Sequence, residues 1–473
     1  MNDASHPLAL AFYGDDFTGS TDALEWLARA GVRSVLFLDP PAPEMMARFP
    51  GLGAAGVAGL TRSLPPEAMR ATLEPAFRAL RALNPRHVHY KVCSTFDSSP
   101  AIGSIGCALE TGAEVFGTPL VPILVGAPAL GRHCVFGNLF AIMGIGSAGM
   151  IHRLDRHPAM SRHPVTPADE SDLRLHLARQ TDWRCDLIDI IQLQRPTAEV
   201  VTQLQESATH GARAALIDTL HEDDLRSAGA ILEALAGRQS PQFIIGSSGV
   251  EMALATQWRQ EEATGPLPAK ETSPADGPVV VLSGSCSPVT AGQIAHALAS
   301  GFGEVALDPV SLLDPNVADR AVEIAVATAR TMLESGQSVV LHTSRGPDDP
   351  RQPEVLAHLA GKDLTGAAAS AHTGEMLGRA LGEIAGRLFA TTPLRRLMLA
   401  GGDSSSHAAR AMGIEAIEMA AVFTAGAPLC RIHAPGHAAD GREIVFKGGQ
   451  VGAADLFSRL ESGTFPSNPI KTS

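Results

Sequence analysis

The chain has 473 residues, with 37 Lys plus Arg against 50 Asp plus Glu and a formal net charge of -13. That length points to more than one domain, about two to four, and the acidic balance argues against non-specific nucleic-acid binding, which draws its affinity from cations set against phosphate. Hydrophobic content of 45% and charged content of 18% are ordinary for a globular chain, and a 4% aromatic share leaves the core mainly to Ala, Val, Leu and Ile.

Residues 8–13 (LALAFY) form an apolar run bounded by Gly14 and read as a buried strand, and Leu24, Leu27 and Ala28 give the spacing of a following helix. The turn between them carries Asp15 and Asp16. In an open α/β sheet such a turn lies at the carboxyl end of its strand, where ligands bind. Adjacent carboxylates there can hold hydroxyls, take a proton or carry a metal; alternatively one caps the helix and the other is solvated. Gly14 and Gly19 favour a ligand, because they let backbone approach it closely.

Residues 34–38 read as a second strand, 66–83 as a helix and 87–92 as a third strand. Its end carries Lys91, and beyond it lie Cys93, Ser94, Thr95, Asp97 and Ser98, a cation with hydroxyls suited to a small oxygen-rich anion, or else a surface cation beside a Ser-rich turn. Residues 121–128 are a further strand candidate. Arg153, Arg156, His157, Arg162 and His163 then concentrate positive charge in an acidic chain, which indicates an anion pocket or a salt-bridged turn around Asp155. No HExxH-type spacing marks a zinc site. Strand candidates over 214–218 and 242–249, the second running into a Gly/Ser turn, complete a pattern of strands alternating with helices, the signature of a doubly wound, mostly parallel sheet.

Between 261 and 278 periodicity is lost and Gly and Pro accumulate, so a linker is placed there, between domains at 1–260 and 279–473. Residues 279–282 restart the α/β rhythm and open onto Ser283, Gly284, Ser285, Cys286 and Ser287 before a helix. Small residues between a strand and a helix amino end expose N–H groups to an anion, a phosphate cradle in outline. It is neither a Walker A loop nor GxGxxG. A second such loop, Gly401, Gly402, Asp403 and Ser404, follows the strand at 397–400, and a glycine cluster follows Lys447 at Gly448 and Gly449. Repetition makes a nucleotide site the leading reading. Asp403 suits Mg²⁺ or a ribose hydroxyl, or caps its helix. The helix over 373–389 reads as core packing, and the residues from 463 as a loose tail.

Six cysteines are scattered without a close pair, against a disulfide framework or structural zinc. No positively charged apolar leader opens the chain and its apolar stretches are broken well short of a membrane span, so a cytoplasmic protein without membrane contact is expected.

In their order, the loops at 14–19, 90–98, 163–164, 283–288, 401–404 and 447–449 resemble those of the four-carbon acid sugar kinase family. The stretches 126–132 and 154–158 resemble a subgroup that includes 3-oxo-isoapionate kinase. The chain differs from the common pattern at Val165, Ser404 and Gly448. The resemblance implies two doubly wound domains facing each other across a cleft, sugar acid on the first and ATP on the second, with Mg²⁺ as the accompanying ion. It also implies that Asp15, Asp16, Lys91, Ser94, Thr95 and His163 face the acceptor, with Lys91 or the Arg156 and His163 region taking its carboxylate. Ser283, Ser285, Gly401, Gly402, Asp403, Ser404 and Gly449 would face ATP. The expected reaction is phosphorylation of a short sugar acid or its 3-oxo derivative, such as 3-oxo-tetronate or 3-oxo-isoapionate, with Asp16 orienting or deprotonating the hydroxyl and the domains closing about the linker. The metal ligands are left unassigned, and a homo-oligomer is left open. Two rival readings are a metal-dependent sugar-acid isomerase or lyase built on Asp15 and Asp16, and a non-catalytic nucleotide-responsive binding protein.

Overall fold

A computed structural model of the chain describes residues 8–143, 149–163, 165–237, 240–262 and 272–463, with backbone alone at 260–262, 367 and 403. Two compact units emerge, Met1–Pro268 and Ala269–Ser473.

In the first unit the strands are β1 (Leu8–Gly14), β2 (Ser34–Phe37), β3 (Ala54–Ala58), β4 (Pro85–Lys91), β5 (Val121–Leu124), β6 (Arg132–Val135), β7 (Asn138–Ile142), β8 (Ile151–Arg153), β9 (Arg184–Ile188), β10 (Ala212–Ile217) and β11 (Gln242–Gly246). Eight of them form a sheet in the order β2-β3-β1-β4-β11-β5-β10-β9, with all its pairings parallel. The central strands are apolar along their length and buried on both faces, as a sheet covered by helices on each side requires. The remaining three make a small antiparallel sheet, β6-β7-β8.

The few aromatic residues are gathered rather than spread. Phe77 meets Tyr13, Tyr90, Phe116 and Phe243 with ring centroids 5.4 to 6.1 Å apart. Phe243 in turn lies over Gly112 of the helix Ile105–Phe116, where a Cβ would come within 2.1 Å of the ring, so glycine lets that helix seat directly on the sheet. Burying such a ring is worth roughly 1.5–3 kcal/mol.

In the second unit β12 (Val280–Ser283), β13 (Gly303–Ala306), β14 (Val339–His342), β15 (Arg396–Ala400), β16 (Ala416–Thr424), β17 (Ala427–His433) and β18 (Glu443–Lys447) run in the order β13-β14-β12-β15-β18-β17-β16. The first five are parallel, while β16, β17 and β18 pair antiparallel. The described end of the stretch read as a linker is fastened to this unit. Thr272 Oγ1 donates to the carbonyl of Val422 at 2.7 Å, and Arg396 Nη1 to that of Ser273 at 2.9 Å.

Among the described residues no helix is long and apolar enough to cross a membrane, and the six cysteines are free thiols.

Candidate functional site

In the first unit, strand register lines up four loops. Gly14 pairs with Ala58 and with Lys91, and Lys91 with Gly246, so the turns that follow β1, β3, β4 and β11 stand side by side at the carboxyl edge. The turn after β3 brings Arg62 to the acidic pair. Its Nε and Nη2 donate to the two oxygens of buried Asp15 at 3.2 and 2.8 Å, and its Nη1 lies 2.8 Å from Asp16 Oδ2. Burial raises the Asp15 pKa above the ordinary carboxylate value, against the lowering pull of Arg62. Burial opposes the charge on Arg62, but Asp15 and then Asp16 overcome that and hold its pKa well above the usual value.

Asp16 caps the helix Phe17–Arg29. Its Oδ1 accepts from Gly19 N at 2.7 Å and its Oδ2 from Thr18 Oγ1 at 3.0 Å. With Arg62, three of the roughly four acceptor positions of a carboxylate are filled. Lys91 is buried, donates to the carbonyl of Val92 at 3.1 Å and lies 3.8 Å from Asp22 Oδ2, which also accepts from Ser248. A Cβ on Gly19 would stand 2.6 Å from Asp16 Oδ1, 3.4 Å from Lys91 Nζ and 3.8 Å from Arg62 Nη2. Three charged groups therefore converge on a space that only glycine leaves open.

Ser94 is half-buried and its side chain makes no hydrogen bond among the described residues, whereas Thr95 Oγ1 donates to Asp97 Oδ1 at 2.7 Å. Burial pushes the Cys93 thiol up to about 11, so it stays protonated and is no nucleophile. The basic segment takes the salt-bridged form. Arg153 forks onto Asp155 at 2.7 and 2.6 Å, and Arg156, with 76% of its side chain exposed, lies 3.9 Å from the same carboxylate. His163 Nδ1 accepts from Thr166 N at 3.1 Å. Neither Arg156 nor His163 is joined by a hydrogen bond or ion pair to the Asp15, Asp16 and Lys91 group, and Pro164 lies outside the described residues.

In the second unit register again aligns the turns. Ser283 pairs with Ala400, and Ala400 with Lys447. Ser283 Oγ accepts from Ser285 N at 3.3 Å, Ser285 Oγ from Ser287 N at 3.2 Å, and Ser287 Oγ from Val289 N at 3.2 Å at the start of the helix Pro288–Ala299. The hydroxyl of Ser404 tucks against Gly401 and Gly284, where added Cβ atoms would approach it to 2.3 and 2.9 Å. Gly449 seats on Ser285 and Ser287, with a Cβ reaching 3.0 Å from Ser285 Oγ. Gly402 caps the helix Asp403–Ala411 without a side-chain bond; the Ser405 N–H donates to the Gly402 carbonyl at 3.3 Å, and the turn before it is where a helix amino end meets an anion. The side chain of Asp403 lies outside the described residues.

Gly284, Ser285, Gly401, Gly402 and Ser404 form the polar end of a cavity of about 760 Å³. Val355, Leu359 and Leu364, which the sequence does not single out, line it together with Leu377. Leu377, with Thr373 and Gly374, belongs to the helix Gly366–Thr391, whose apolar period reads as core; its deeper turns, Leu381 and Ile384, are indeed buried, but its first part lines the cavity. Lys447 is wholly buried and donates to Thr290 Oγ1 at 2.9 Å and to the carbonyls of Gly448 and Gly449 at 3.0 and 3.3 Å. Burial lowers its pKa to about 7.

The two units match two family models, a sugar-binding N-terminal domain over residues 10–254 and a nucleotide-binding C-terminal domain over 280–457. A 3-oxo-isoapionate kinase of Paraburkholderia graminis is 44% identical over 462 residues, covering 96% of this chain and 94% of that protein. A 3-oxo-tetronate kinase of Methylobacterium radiotolerans is 33% identical, covering 96% and 98%. Among solved structures, a Salmonella typhimurium LT2 protein carrying the provisional description of a tRNA synthase superposes with a TM-score of 0.73 at 25% identity, over 96% of this chain and 98% of that one.

Proposed function

The chain belongs to the four-carbon acid sugar kinase family, and on that premise we propose that it moves the γ-phosphoryl group of ATP onto a hydroxyl of a short sugar acid. The first candidate acceptor is 3-oxo-isoapionate, since the relative so named is 44% identical against 33% for a 3-oxo-tetronate kinase. We place the reaction in the cytoplasm, where ATP is supplied.

The observation that carries the reading is the second-unit cavity, whose apolar walls suit a purine and whose far end is built of glycine turns, serine hydroxyls and a helix amino end. Ser285, Gly401, Gly402 and Ser404 are assigned to ATP on that basis, and Ser283, Asp403 and Gly449 with them as members of the adjoining turns. Lys447 acts one layer below. It draws the carbonyls of Gly448 and Gly449 inward, which turns the N–H groups of those peptide links the opposite way. Magnesium arriving with the triphosphate would compensate charge on the moving phosphoryl group. Among the described residues no three His, Cys, Asp or Glu side chains form a metal cage; the oxygen donors Ser285 and Ser404, with Asp403 next to Ser404 in sequence, suit this hard cation.

Asp15, Asp16, Lys91, Ser94 and Thr95 are assigned to the acceptor. The free acceptor position on Asp16 receives the proton of the attacking hydroxyl as its oxygen bonds to the γ-phosphorus and the bridge to ADP breaks. Asp15 holds Arg62, and Arg62 holds Asp16 in place. Arg156 and His163 are given up as the carboxylate contact: one is spent on Asp155 and the solvent, the other on Thr166.

ADP release with Mg²⁺-ATP and a panel of short sugar acids tests the proposal. Release with a 3-oxo acid is expected. Absence of release with every acid, or conversion of an acid without ATP, overturns it.

A further inference from the structure

Four arginines of the first unit meet a carboxylate in the same way. Arg62 on Asp15, Arg153 on Asp155, Arg174 on Asp172 and Arg184 on Asp186 each present the edge formed by Nε and Nη2 to the two oxygens. Arg132 departs from that pattern. It opens β6, past the loop that follows β5, with its backbone paired to Ala141 of β7. Its Nη1 is fastened to three carbonyls, Leu130 at 3.1 Å, Gly131 at 3.3 Å and Ile142 at 3.3 Å. The opposite edge has no protein acceptor among the described residues: Nε is enclosed without a hydrogen-bond partner, Nη2 bonds to nothing in the protein, and no ion pair forms.

A guanidinium so held is pre-set. Its rotation is fixed by Nη1, and the fork that four other arginines of this unit close on a carboxylate is bonded to no described acid. Cys93 lies within electrostatic reach of both Arg132 and Arg62, which puts Arg132 near the loop after β4 that carries Lys91, Ser94 and Thr95. His157 sits beside it as a neutral ring. Its Nδ1 accepts from Ala159 N and Met160 N at 3.2 Å, and burial, followed by the charge of Arg132, keeps its pKa low. Asp97 is the described carboxylate that Arg132 feels, at a distance and without a bond.

We propose that the Nε and Nη2 edge of Arg132 takes the carboxylate of the acceptor, making Arg132 the residue that distinguishes a sugar acid from a neutral sugar. The inference rests on the acceptor site assigned above to the first unit and replaces Arg156 and His163 in that role. Lys91, a compact charge already turned to a backbone carbonyl, is left to the hydroxyl end.

The test is calorimetric binding of threonate, erythronate and 3-oxo-isoapionate, each beside its own amide, to wild type, Arg132→Gln and Arg132→Lys, with an ATP analogue titrated into all three. Wild type is expected to favour acid over amide by about 100-fold, as a charged two-bond contact would. Arg132→Gln should lose that preference while keeping its amide affinity and its analogue affinity. Arg132→Lys should keep the charge but not the fork and fall at least tenfold short of wild type, and it decides the matter if the Gln variant does not fold. Equal binding of acid and amide by wild type, no binding of any acid, or an acid preference that survives in Arg132→Gln or stays at the wild-type level in Arg132→Lys each overturn the proposal. Kinase activity is judged separately by ADP release from wild type. Acid binding through Arg132 without ADP release sinks the kinase reading alone, and release with an unchanged acid preference in Arg132→Gln sinks this inference alone.

Discussion

Arg62 and Asp15, 47 residues apart, meet through two parallel hydrogen bonds of 3.2 and 2.8 Å beneath the acidic turn. Neither residue stands well without the other. Asp15 is only 3% exposed, so removing the cation leaves a buried carboxylate uncompensated. Arg62→Ala should destabilise the protein by about 2 to 4 kcal/mol, somewhat under the figure for a fully buried pair because 28% of the Arg62 side chain is exposed. Chemical denaturation would read the loss. A change under about 0.5 kcal/mol would mean the pair is screened like a surface bridge.

Asp16→Asn should keep the helix cap, since an amide oxygen can still accept from Gly19, but remove the proton acceptor. Turnover is expected to fall by ~10² to 10⁴ with the ATP KM largely kept. Steady-state kinetics with saturating acceptor would decide, and unchanged kcat would remove Asp16 from that role.

Gly19→Ala places a methyl 2.6 Å from Asp16 Oδ1 and 3.4 Å from Lys91 Nζ. The acceptor KM should rise roughly 10- to 100-fold, the usual cost of displacing a positioned group by about an ångström. Nucleotide affinity, set in the other unit, should not move. Gly449→Ala should do the reverse, because its methyl presses on Ser285 and Ser287: ATP KM rises and acid binding is untouched.

Lys447 gives a pH dependence of definite sign. Its pKa is about 7 in the folded chain against 10.5 unfolded. Between those values the unfolded state binds the extra proton, so stability increases with pH, by at most about 1.4 kcal/mol per unit. The penalty is fully present below pH 7 and is relieved as pH climbs from 7 toward 10. Unfolding free energies at pH 7, 8 and 9 should therefore rise less steeply in Lys447→Met than in wild type. Parallel curves would show that Lys447 is charged at all these pH values.

The comparison of sequence with structure turns on distance along the chain. The strand at 8–13, the helix behind Asp16 and the small-residue turns at 283–287 and 401–404 were legible because period, capping and turn chemistry act over a few residues. β3, only five residues of Ala, Gly and Val, carries too little pattern to be seen, and with it went Arg62 in the turn beyond. The antiparallel pair β16 and β17 was missed as well. Asp16 shows the limit from the other side: its residue type allowed both a cap and a site, and the fold makes it a cap that retains one acceptor position.

By itself, then, the order of residues determined that strands end in acidic, serine-rich or glycine-rich turns, and hence where ligands could be met. Which cation answers which carboxylate was decided only in three dimensions. Arg62 closes on Asp15 from 47 residues away, and Arg132 is left with an edge bonded to no described acid. The reason is that parallel neighbours are joined by long crossovers, so the pairing of charges follows strand order and register, which local periodicity does not encode.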